Sequence, residues 1–358
     1  MRVLQAIKLS AGRYLQPFSF AQRLSVIYYY MKKISFLLFI AFSIISVNAR
    51  STEDNSNIPI NTNWFSPEPA GLWNNMIIPG FMDKTDTSKN SFENTYPYAL
   101  VAGGSKGIGF AIAEALAKRK YNLILIARGW DTLNIAKNKL ESAYGVHVET
   151  LSFDLSKEES ATAIAKWCTE KNIPLKMLFN VAGLGGDDDY LSLSLDSLRY
   201  MVRLNIESAM ALSLTLLPLL EKNAPSYILN VASMAGLGPI PAKNMYSATK
   251  AAVVSFSYSL RYQLKEKNIS VSCLAPGPVY TKPSIEASTK KQLGWFGDQL
   301  SVSPKRVGEI TVRKTLKGRL LIVPGTLPGI MSGVLRIIPR RWVTYIYGKA
   351  GDRAKNKK

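Results

Sequence analysis

Histidine is nearly absent from this chain of 358 residues, in which His147 is the only one. A mechanism that needs a histidine base is therefore poorly supported, and the alternation of His147 with two valines predicts a structural or surface position on a strand. Cysteine is almost as scarce. Cys168 and Cys273 each lie in an apolar run, which predicts core packing. Two such cysteines make neither a disulfide framework nor a metal site, so no metal is expected.

Acidic residues are also few, with 25 Asp and Glu against 45 Lys and Arg, which gives a formal net charge of +20. Such an excess can indicate a nucleic-acid or anionic membrane partner. Residues 1–50 contain seven basic residues and no acidic one, and residues 325–358 contain eight basic residues and one acidic one. The two ends therefore carry most of the charge. No nucleic-acid motif accompanies it, so we expect no nucleic-acid partner.

Long apolar runs are scarce as well. The run from Ile34 to Val47 has 14 residues, which is short for a membrane span of about 20. Lys32 and Lys33 precede it and a polar stretch follows, a pattern typical of a signal peptide. An uncleaved anchor and an organelle transit peptide remain alternatives, and Met31 is an alternative start. Residues 1–50 are thus predicted to be a signal peptide or membrane anchor, which implies a membrane-associated or secretory-pathway location.

The remainder of the chain divides into three parts. Residues 51–95 are polar and without clear periodicity, which predicts a linker or arm. Over residues 96–325, short apolar runs alternate with helical patterns, as in parallel βαβ units. The predicted fold class is α/β, a single Rossmann-type doubly wound parallel sheet of about seven strands with helices on both faces. Residues 326–358 form a basic amphipathic tail.

The individual elements follow from the same patterns. The predicted strands are Tyr98–Ala102, Tyr121–Ala127, Val146–Phe153, Leu175–Asn180, Tyr227–Val231, Ile269–Leu274 and Leu320–Val323. The predicted helices are Phe110–Lys118, Asp131–Tyr144, a helix capped by Ser156 that ends at Glu170, a long helix over residues 193–220, and one from Tyr246 to about Lys265. Glu158 and Glu159 are placed in the first turn of the third helix, where the helix dipole favours acids.

The stretch from Ile228 to Lys250 carries the reactive groups. It predicts a buried strand, a loop and the start of a helix, with Ser233 where the strand ends. Tyr246 and Lys250 are four residues apart and therefore share a helix face. We expect the ammonium to lower the pKa of the phenol, which makes Tyr246 a usable general acid and base. With the Ser233 hydroxyl to polarise a carbonyl, this set suits proton transfer to an alcohol or ketone oxygen.

A glycine turn supplies a place for a hydride donor. Gly103, Gly107 and Gly109 directly follow the first predicted strand and precede a helix. In that context glycines permit a tight turn, approach of the backbone to a pyrophosphate, and close packing of helix on strand. Arg128 ends the second strand, where an acid would bind the ribose of NAD. With Lys106 in the glycine turn, two cations face a 2′-phosphate, so we predict NADP(H) as the cofactor.

These residues resemble the motifs of the short-chain dehydrogenases/reductases over about residues 96–325. The matching positions are Gly103-x-x-x-Gly107-x-Gly109, Asp154, Asn180-Val-Ala182-Gly183, Asn205, Ser233, Tyr246-x-x-x-Lys250 and Pro276-Gly277 with Thr281. Three supporting positions depart from the family pattern, with Ala102 for Thr, Val181 for Asn and Ala232 for Ser.

The resemblance implies a role for each position. Tyr246 is the expected acid/base, Lys250 holds the nicotinamide ribose, Ser233 positions the substrate oxygen and Asn205 holds a water of the proton relay. The expected cofactor-binding residues, which include Tyr246 and Lys250, are otherwise Gly103, Ser105, Lys106, Gly107, Ile108, Gly109, Arg128, Asp154, Asn180, Ala182, Gly183, Pro276, Gly277, Val279 and Thr281. The implied reaction interconverts an alcohol and a ketone or aldehyde. A dinucleotide-binding regulatory or scaffold protein without turnover is the alternative.

The substrate and partners are less defined. In the family, the loop after Pro276-Gly277 binds substrate, which here is about Lys282–Val302 with Trp295 and Phe296. These aromatics and the tail favour a lipophilic substrate. The tail suits an anionic membrane surface, although a cover over the active-site mouth or a subunit contact fits it equally. The acidic run Asp187–Asp189 is expected to be a solvated loop. The resemblance also implies a homodimer or homotetramer.

Overall fold

The computed structural model describes residues 96–185, 190–281, 285–287, 289 and 295–355. The predicted signal or anchor at 1–50, the linker at 51–95 and the acidic run Asp187–Asp189 lie outside these residues. Of the predicted substrate loop, most of residues 282–294 and the side chains of Trp295 and Phe296 also lie outside.

Within the described residues, the strands form one parallel sheet with helices on both faces. The strands are β1 (Tyr98–Ala102), β2 (Asn122–Ala127), β3 (Val148–Ser152), β4 (Leu175–Asn180), β5 (Ser226–Val231), β6 (Ile269–Leu274) and β7 (Leu321–Ile322). The helices are α1 (Gly107–Ala117), α2 (Trp130–Tyr144), α3 (Ser160–Glu170), α4 (Leu195–Val202), α5 (Ser208–Thr215), α6 (Leu217–Lys222), α7 (Asn244–Gln263), α8 (Trp295–Leu300), α9 (Pro304–Leu316), α10 (Thr326–Ile337) and α11 (Arg340–Lys355). The predicted α/β fold is confirmed.

The strand order is β3-β2-β1-β4-β5-β6-β7, with parallel pairing throughout. The chain therefore winds outward from β1 in one direction and then returns to wind outward in the other. Ligands of such sheets bind beyond the carboxyl ends of the strands, at the point where the winding reverses. In this protein that point lies between β1 and β4.

The core lies on both faces of the sheet because successive strand residues point to opposite sides. On one face, Val101 and Leu125 pack with the buried residues of α1 and α2 and with Val307 of α9. On the other face, Leu100 and Leu178 pack with buried leucines of α5 and α6 and with α3. Cys168 and Cys273 are fully buried, which confirms that they pack in the core.

Two helices differ from their predictions. The expected long helix over 193–220 is divided into α4, a π turn at Arg203–Glu207, α5 and α6. The break before α6 has a clear cause, because Pro218 has no N–H and its ring clashes with the carbonyl one turn earlier. The first of these segments, α4, begins at Leu195, where the Ser194 side chain accepts a hydrogen bond from Ser197 N at 3.2 Å.

Ser156 does not cap the third helix, which begins four residues later at Ser160. Its amide and hydroxyl instead donate to Asp154 Oδ1, at 3.0 and 2.8 Å. Because the Asp154 side chain offers the backbone a local partner, the chain turns before it becomes helical. Glu158 and Glu159 therefore precede α3 rather than occupy its first turn.

Candidate active site

The end of β5 and the start of α7 bring three reactive side chains together. Ser233 follows β5 by two residues and begins a 3₁₀ turn at Met234–Gly236, where its Oγ accepts a hydrogen bond from Ala235 N at 3.1 Å. Helix α7 begins at Asn244, so Tyr246 and Lys250 lie one turn apart near its amino end. The Ser233 hydroxyl lies close enough to the Tyr246 phenol to favour its charged form, which lowers the pKa of Tyr246 in part.

Lys250 is held beneath the tyrosine. Its Nζ lies 5.8 Å from the centre of the Tyr246 ring and donates to the carbonyl oxygen of Val231 at 2.9 Å. Only 4% of its surface is exposed. The expectation that the ammonium and the phenol share one face of the helix is confirmed.

The predicted lowering of the Tyr246 pKa by Lys250 is wrong for this structure. Burial raises the pKa of Tyr246 above its ordinary value of 10.0, and the Ser233 hydroxyl lowers it only in part. Burial also lowers the pKa of Lys250 from 10.5 to about 8, which the neighbouring Cys273 opposes. Removal from water disfavours both charged forms, so a protonated phenol faces an ammonium that readily loses its proton.

Asn205 lies at the centre of the π turn and is buried. Its Oδ1 accepts from Leu184 N at 2.7 Å, and its Nδ2 donates to Leu184 O at 2.9 Å and Thr249 Oγ1 at 3.0 Å. A Cβ added to Gly183 would lie 3.1 Å from both Asn205 Oδ1 and Lys250 Nζ. The two groups therefore border one space, and Asn205 Oδ1 keeps a lone pair for it.

The glycine turn after β1 is closely packed. Gly103 has φ +89°, and a Cβ there would lie 2.8 Å from Ala182 N, while one at Gly109 would lie 2.0 Å from Gly103 O. Gly107 has φ +57°, and a Cβ there would lie 3.2 Å from Thr281 Cγ2. The turn therefore leaves a cradle between the start of α1 and the segment after β6. No side chain caps the amino end of α1, so its first N–H groups are available to a phosphate.

Lys106 immediately precedes α1, and Arg128 directly follows β2, which pairs with β1. We call these two residues the cationic corner. Lys106 and Arg128 are both exposed, and Arg128 Nη1 donates to the hydroxyl of Tyr200 at 2.8 Å. Asp154 lies after β3 and uses Oδ1 for the Ser156 turn. A dinucleotide with an additional phosphate fits this donor set, because helix N–H groups and two cations recognise phosphates.

The other predicted positions divide between binding and support. Asn180 is buried, and its Nδ2 donates to Asn230 Oδ1 at 2.9 Å and Ser213 Oγ at 3.1 Å, which ties β4 to β5 and α5. Val279 packs its side chain into the core. The remaining members, Ser105, Ile108, Ala182, Gly183, Pro276, Gly277 and Thr281, lie in turns or segments beyond the carboxyl ends of strands or at the start of α1.

Sequence reasoning missed several residues that position this site. Thr249 accepts from Asn205 and donates to Tyr246 O at 2.8 Å, and Tyr200 binds Arg128. Thr249 adjoins Lys250 in the sequence, but nothing in the pattern distinguishes it from a helix-surface threonine. Tyr200 is 72 residues from Arg128, so only the fold brings them together. His147 precedes β3 at the opposite, amino end of the sheet.

Comparison with known proteins agrees with this geometry. Residues 97–292 match the family model described as short chain dehydrogenase. Very-long-chain 3-oxoacyl-CoA reductase of Mus musculus is 30% identical over 217 residues, which cover 56% of this chain and 69% of that protein. NADP-dependent 3-hydroxy acid dehydrogenase of Schizosaccharomyces pombe is 28% identical over 233 residues, which cover 64% of this chain and 90% of that protein.

A solved structure is similar over the same region. L-sorbose reductase from Gluconobacter frateurii, complexed with NADPH and L-sorbose, superposes with a TM-score of 0.59 at 25% identity. The match covers 65% of this chain and 97% of the reductase.

Proposed function

This chain belongs to the short-chain dehydrogenase family, and we propose that it is an NADP(H)-dependent oxidoreductase that interconverts an alcohol and a ketone or aldehyde. The observation that carries the proposal is the convergence of the Ser233 hydroxyl and the Tyr246 phenol near the buried ammonium of Lys250. The pair lies at the same edge of the sheet as the glycine cradle. The groups that would transfer the proton therefore lie at the same edge of the sheet as the cradle that would bind the hydride donor.

The side chains divide the work on the substrate oxygen. When bound, NADPH supplies the hydride that reaches the carbonyl carbon. The Ser233 hydroxyl holds the carbonyl oxygen, and Tyr246 donates the proton to it. Because burial raises the pKa of Tyr246, the phenol is protonated at neutral pH and ready to act as an acid in carbonyl reduction. Alcohol oxidation needs the phenolate, so its rate should increase with pH.

The proton returns to Tyr246 through Lys250 and Asn205. Burial lowers the pKa of Lys250 to about 8, so the ammonium can release and regain a proton near neutral pH. We place a water in the space that Lys250 Nζ and Asn205 Oδ1 border. Thr249 and Leu184 fix the amide of Asn205 for this role.

NADP(H) is the cofactor that the cationic corner favours. Lys106 and Arg128 are exposed beside the cradle, and among the described residues no carboxylate forms an ion pair with either. The relative from Schizosaccharomyces pombe is NADP-dependent by name, and L-sorbose reductase was solved with NADPH.

We propose a lipophilic carbonyl or alcohol as the substrate. The mouse relative is named for very-long-chain 3-oxoacyl-CoA, which carries a long apolar chain. The described part of the chain contains no helix long and apolar enough to cross a membrane. It does contain two helices, α10 and α11, that expose apolar side chains.

A contact between these two helices and an anionic membrane surface is part of this proposal. The exposed apolar residues lie in one stripe on each helix, Ile330, Val334 and Ile337 on α10 and Trp342, Tyr345 and Ile346 on α11. The exposed guanidinium groups of Arg336, Arg340 and Arg341 accompany them. Apolar stripes with basic neighbours bind anionic headgroups.

Vesicle sedimentation tests this contact. Ile337→Glu should reduce binding to phosphatidylcholine vesicles that contain phosphatidylserine, because Ile337 is 85% exposed in the stripe. The matched control is Ile135→Glu, since Ile135 is 69% exposed on α2. Equal binding by the two variants would contradict the contact.

We also propose a homodimer or homotetramer. Two helices expose apolar side chains that a subunit contact would cover, with Leu214 of α5 72% exposed and Tyr258 of α7 38% exposed. Light scattering coupled to gel filtration tests this. A monomer at micromolar concentration would contradict it.

The central experiment compares wild type with Tyr246→Phe. The variant should still bind NADPH, measured by fluorescence titration, and should lose carbonyl reduction by about 100- to 10,000-fold, the usual contribution of a general acid. The control is Tyr262→Phe on the same helix, which removes a hydroxyl from a side chain that is 84% exposed. A wild type that binds NADPH but reduces no aldehyde or ketone of a broad panel would favour the scaffold alternative.

A further inference from the structure

A single hydrogen bond joins the end of β2 to helix α4. Arg128 directly follows β2, and its Nη1 donates to the Tyr200 hydroxyl at 2.8 Å. Tyr200 is partly buried, whereas Arg128 is exposed. A contact between an exposed arginine and a partly buried tyrosine fixes the more mobile of the two.

The backbone of Arg128 is already fixed by the neighbouring strand. Ser152 Oγ donates to Arg128 O at 2.9 Å, and Ala127 pairs with Ser152 in the sheet. The side chain has no such restraint apart from Tyr200. No carboxylate lies within ion-pair range of Arg128 in residues 96–185 or the other described ranges. Its charge is therefore uncompensated, and its position depends on one phenol.

The helix that carries Tyr200 is itself well anchored. The next residue, Met201, is 1% exposed, and the π turn that holds the buried Asn205 follows at Arg203. The cap at Ser194 fixes the other end of α4. Tyr200 therefore projects from a rigid support, which an isolated surface side chain lacks.

The pair retains hydrogen-bond donors for an anion. A guanidinium has five N–H donors and Tyr200 uses one of them, so four remain. The phenol accepts from Arg128, and its own O–H has no acceptor among the described residues. The guanidinium can therefore bind a phosphate while it remains bonded to Tyr200. A phosphate monoester is close to dianionic at neutral pH, which suits this donor set.

We propose that Tyr200 is a positioning residue that holds Arg128 for the 2′-phosphate of NADP(H) and thereby contributes to the preference for NADP(H) over NAD(H). The inference rests on the proposed function, because it assumes that the cradle binds a dinucleotide. An arginine that is held before binding loses less side-chain entropy when the phosphate arrives. NAD(H) has no 2′-phosphate, so it gains nothing from the pair.

Binding of NADP⁺ and NAD⁺ to the full-length protein, measured by isothermal titration calorimetry without substrate, tests the inference. Tyr200→Phe keeps the ring and removes the hydroxyl. We expect the Kd for NADP⁺ to increase about 3- to 10-fold, the effect of one lost hydrogen bond. The Kd for NAD⁺ should not change, and Tyr262→Phe should change neither.

A double variant shows whether Tyr200 acts through Arg128. Arg128→Gln should weaken NADP⁺ binding more than Tyr200→Phe does, again with little effect on NAD⁺. Adding Tyr200→Phe to Arg128→Gln should then cost at most about 2-fold, because no guanidinium is left to hold. A full additional loss in the double variant would show that Tyr200 acts independently.

The remaining outcomes are also decisive. If Tyr200→Phe weakens the binding of NADP⁺ and NAD⁺ equally, Tyr200 has a merely structural role. Unchanged NADP⁺ binding would show that the hydroxyl contributes nothing, and tighter binding would show that it competes with the phosphate. Each of these overturns the inference. If the wild type binds neither dinucleotide, the proposed function itself fails. If Arg128→Gln loses the preference for NADP⁺ over NAD⁺ but Tyr200→Phe keeps it, the proposed function survives and only the role of Tyr200 fails.

Discussion

Replacing Lys250 by methionine should stabilise the protein while it abolishes activity. Methionine has a similar length and apolar character, so it fills the same buried space without a charge. Lys250 is 4% exposed, and among the described residues its Nζ donates to one acceptor, the Val231 carbonyl oxygen at 2.9 Å. An ammonium in that position is kept for its chemistry at the expense of stability.

The expected gain follows from the pKa of Lys250. Burial lowers this pKa from 10.5 to about 8. One pKa unit corresponds to about 1.4 kcal/mol, so the charged ammonium costs about 3 kcal/mol at pH 7. Loss of the hydrogen bond to Val231 destabilises the variant by about 1 kcal/mol and so offsets part of this gain. Lys250→Met should therefore increase the free energy of unfolding by about 2 kcal/mol.

The difference in the free energy of unfolding between Lys250→Met and the wild type should decrease as the pH rises. The folded-state pKa of Lys250 is below its unfolded-state value, so the unfolded chain binds more protons between about pH 8 and 10.5. Wild-type stability relative to the variant therefore rises with pH across this window. Below pH 8 the cost of the charge is fully present. By pH 10 it should fall below about 1 kcal/mol.

Equilibrium urea unfolding of both proteins at pH 7 and pH 10 measures this. Lys265→Met, at an exposed lysine two residues beyond the end of α7, is the control and should change stability by less than about 0.5 kcal/mol. A Lys250→Met protein less stable than wild type at pH 7, or a stability difference that does not change with pH, would refute the assignment of Lys250 as a strained, buried cation.

Three further predictions concern other parts of the site and core. Gly109→Ala would place a methyl group 2.0 Å from Gly103 O, so we expect a lower melting temperature and loss of NADP⁺ binding by calorimetry; a fully stable variant that binds normally would contradict this. Burial raises the pKa of the Cys168 thiol to about 12 and that of Cys273 to about 11. Neither should react with Ellman's reagent in the native protein at pH 8, and both should react after unfolding. Thr249→Val removes the hydroxyl that accepts from Asn205 Nδ2. Under the proposed relay, kcat should fall about 10-fold, the effect of one lost hydrogen bond, with an unchanged Kd for NADP⁺, and a change confined to Kd would argue against the relay.

The sequence was sufficient for the sheet and for the position of the reactive groups, for a physical reason. Parallel strands buried on both faces appear as short apolar runs, and β1, β4 and β6 have the predicted bounds. Because the sheet is parallel, residues that follow different strands meet at one edge. Gly103, Arg128 and Ser233 each follow a strand, so their spacing alone predicts that they lie at this edge.

Local competition explains what the sequence did not reveal. Serine is a residue type that commonly caps helices, but the amide and hydroxyl of Ser156 both donate to Asp154, two residues earlier. Asn205 in the π turn is bonded to Leu184 and Thr249, which are distant in the sequence, so no local pattern encodes these contacts.

Electrostatics were the least predictable feature. A neighbouring ammonium favours a phenolate in water-like surroundings. In the folded protein, burial acts on Tyr246 and Lys250 together and disfavours both charges. The balance depends on how much protein surrounds each group, and sequence spacing contains no measure of that. The contact between Arg128 and Tyr200 was missed for a similar reason, because it depends on how α4 packs beside the end of β2.

Transfer of deuterium from the cofactor to the substrate shows whether the protein catalyses carbonyl reduction and whether Tyr246 donates the proton. Full-length protein is mixed with a ketone or aldehyde substrate and NADPH that carries deuterium at the transferred position of its nicotinamide C4, and the alcohol is analysed by mass spectrometry. We expect a deuterated alcohol from the wild type and from Tyr262→Phe, and almost none from Tyr246→Phe although that variant still binds NADPH. Deuterated alcohol formed by Tyr246→Phe at the wild-type rate would contradict the assignment of Tyr246 as the proton donor.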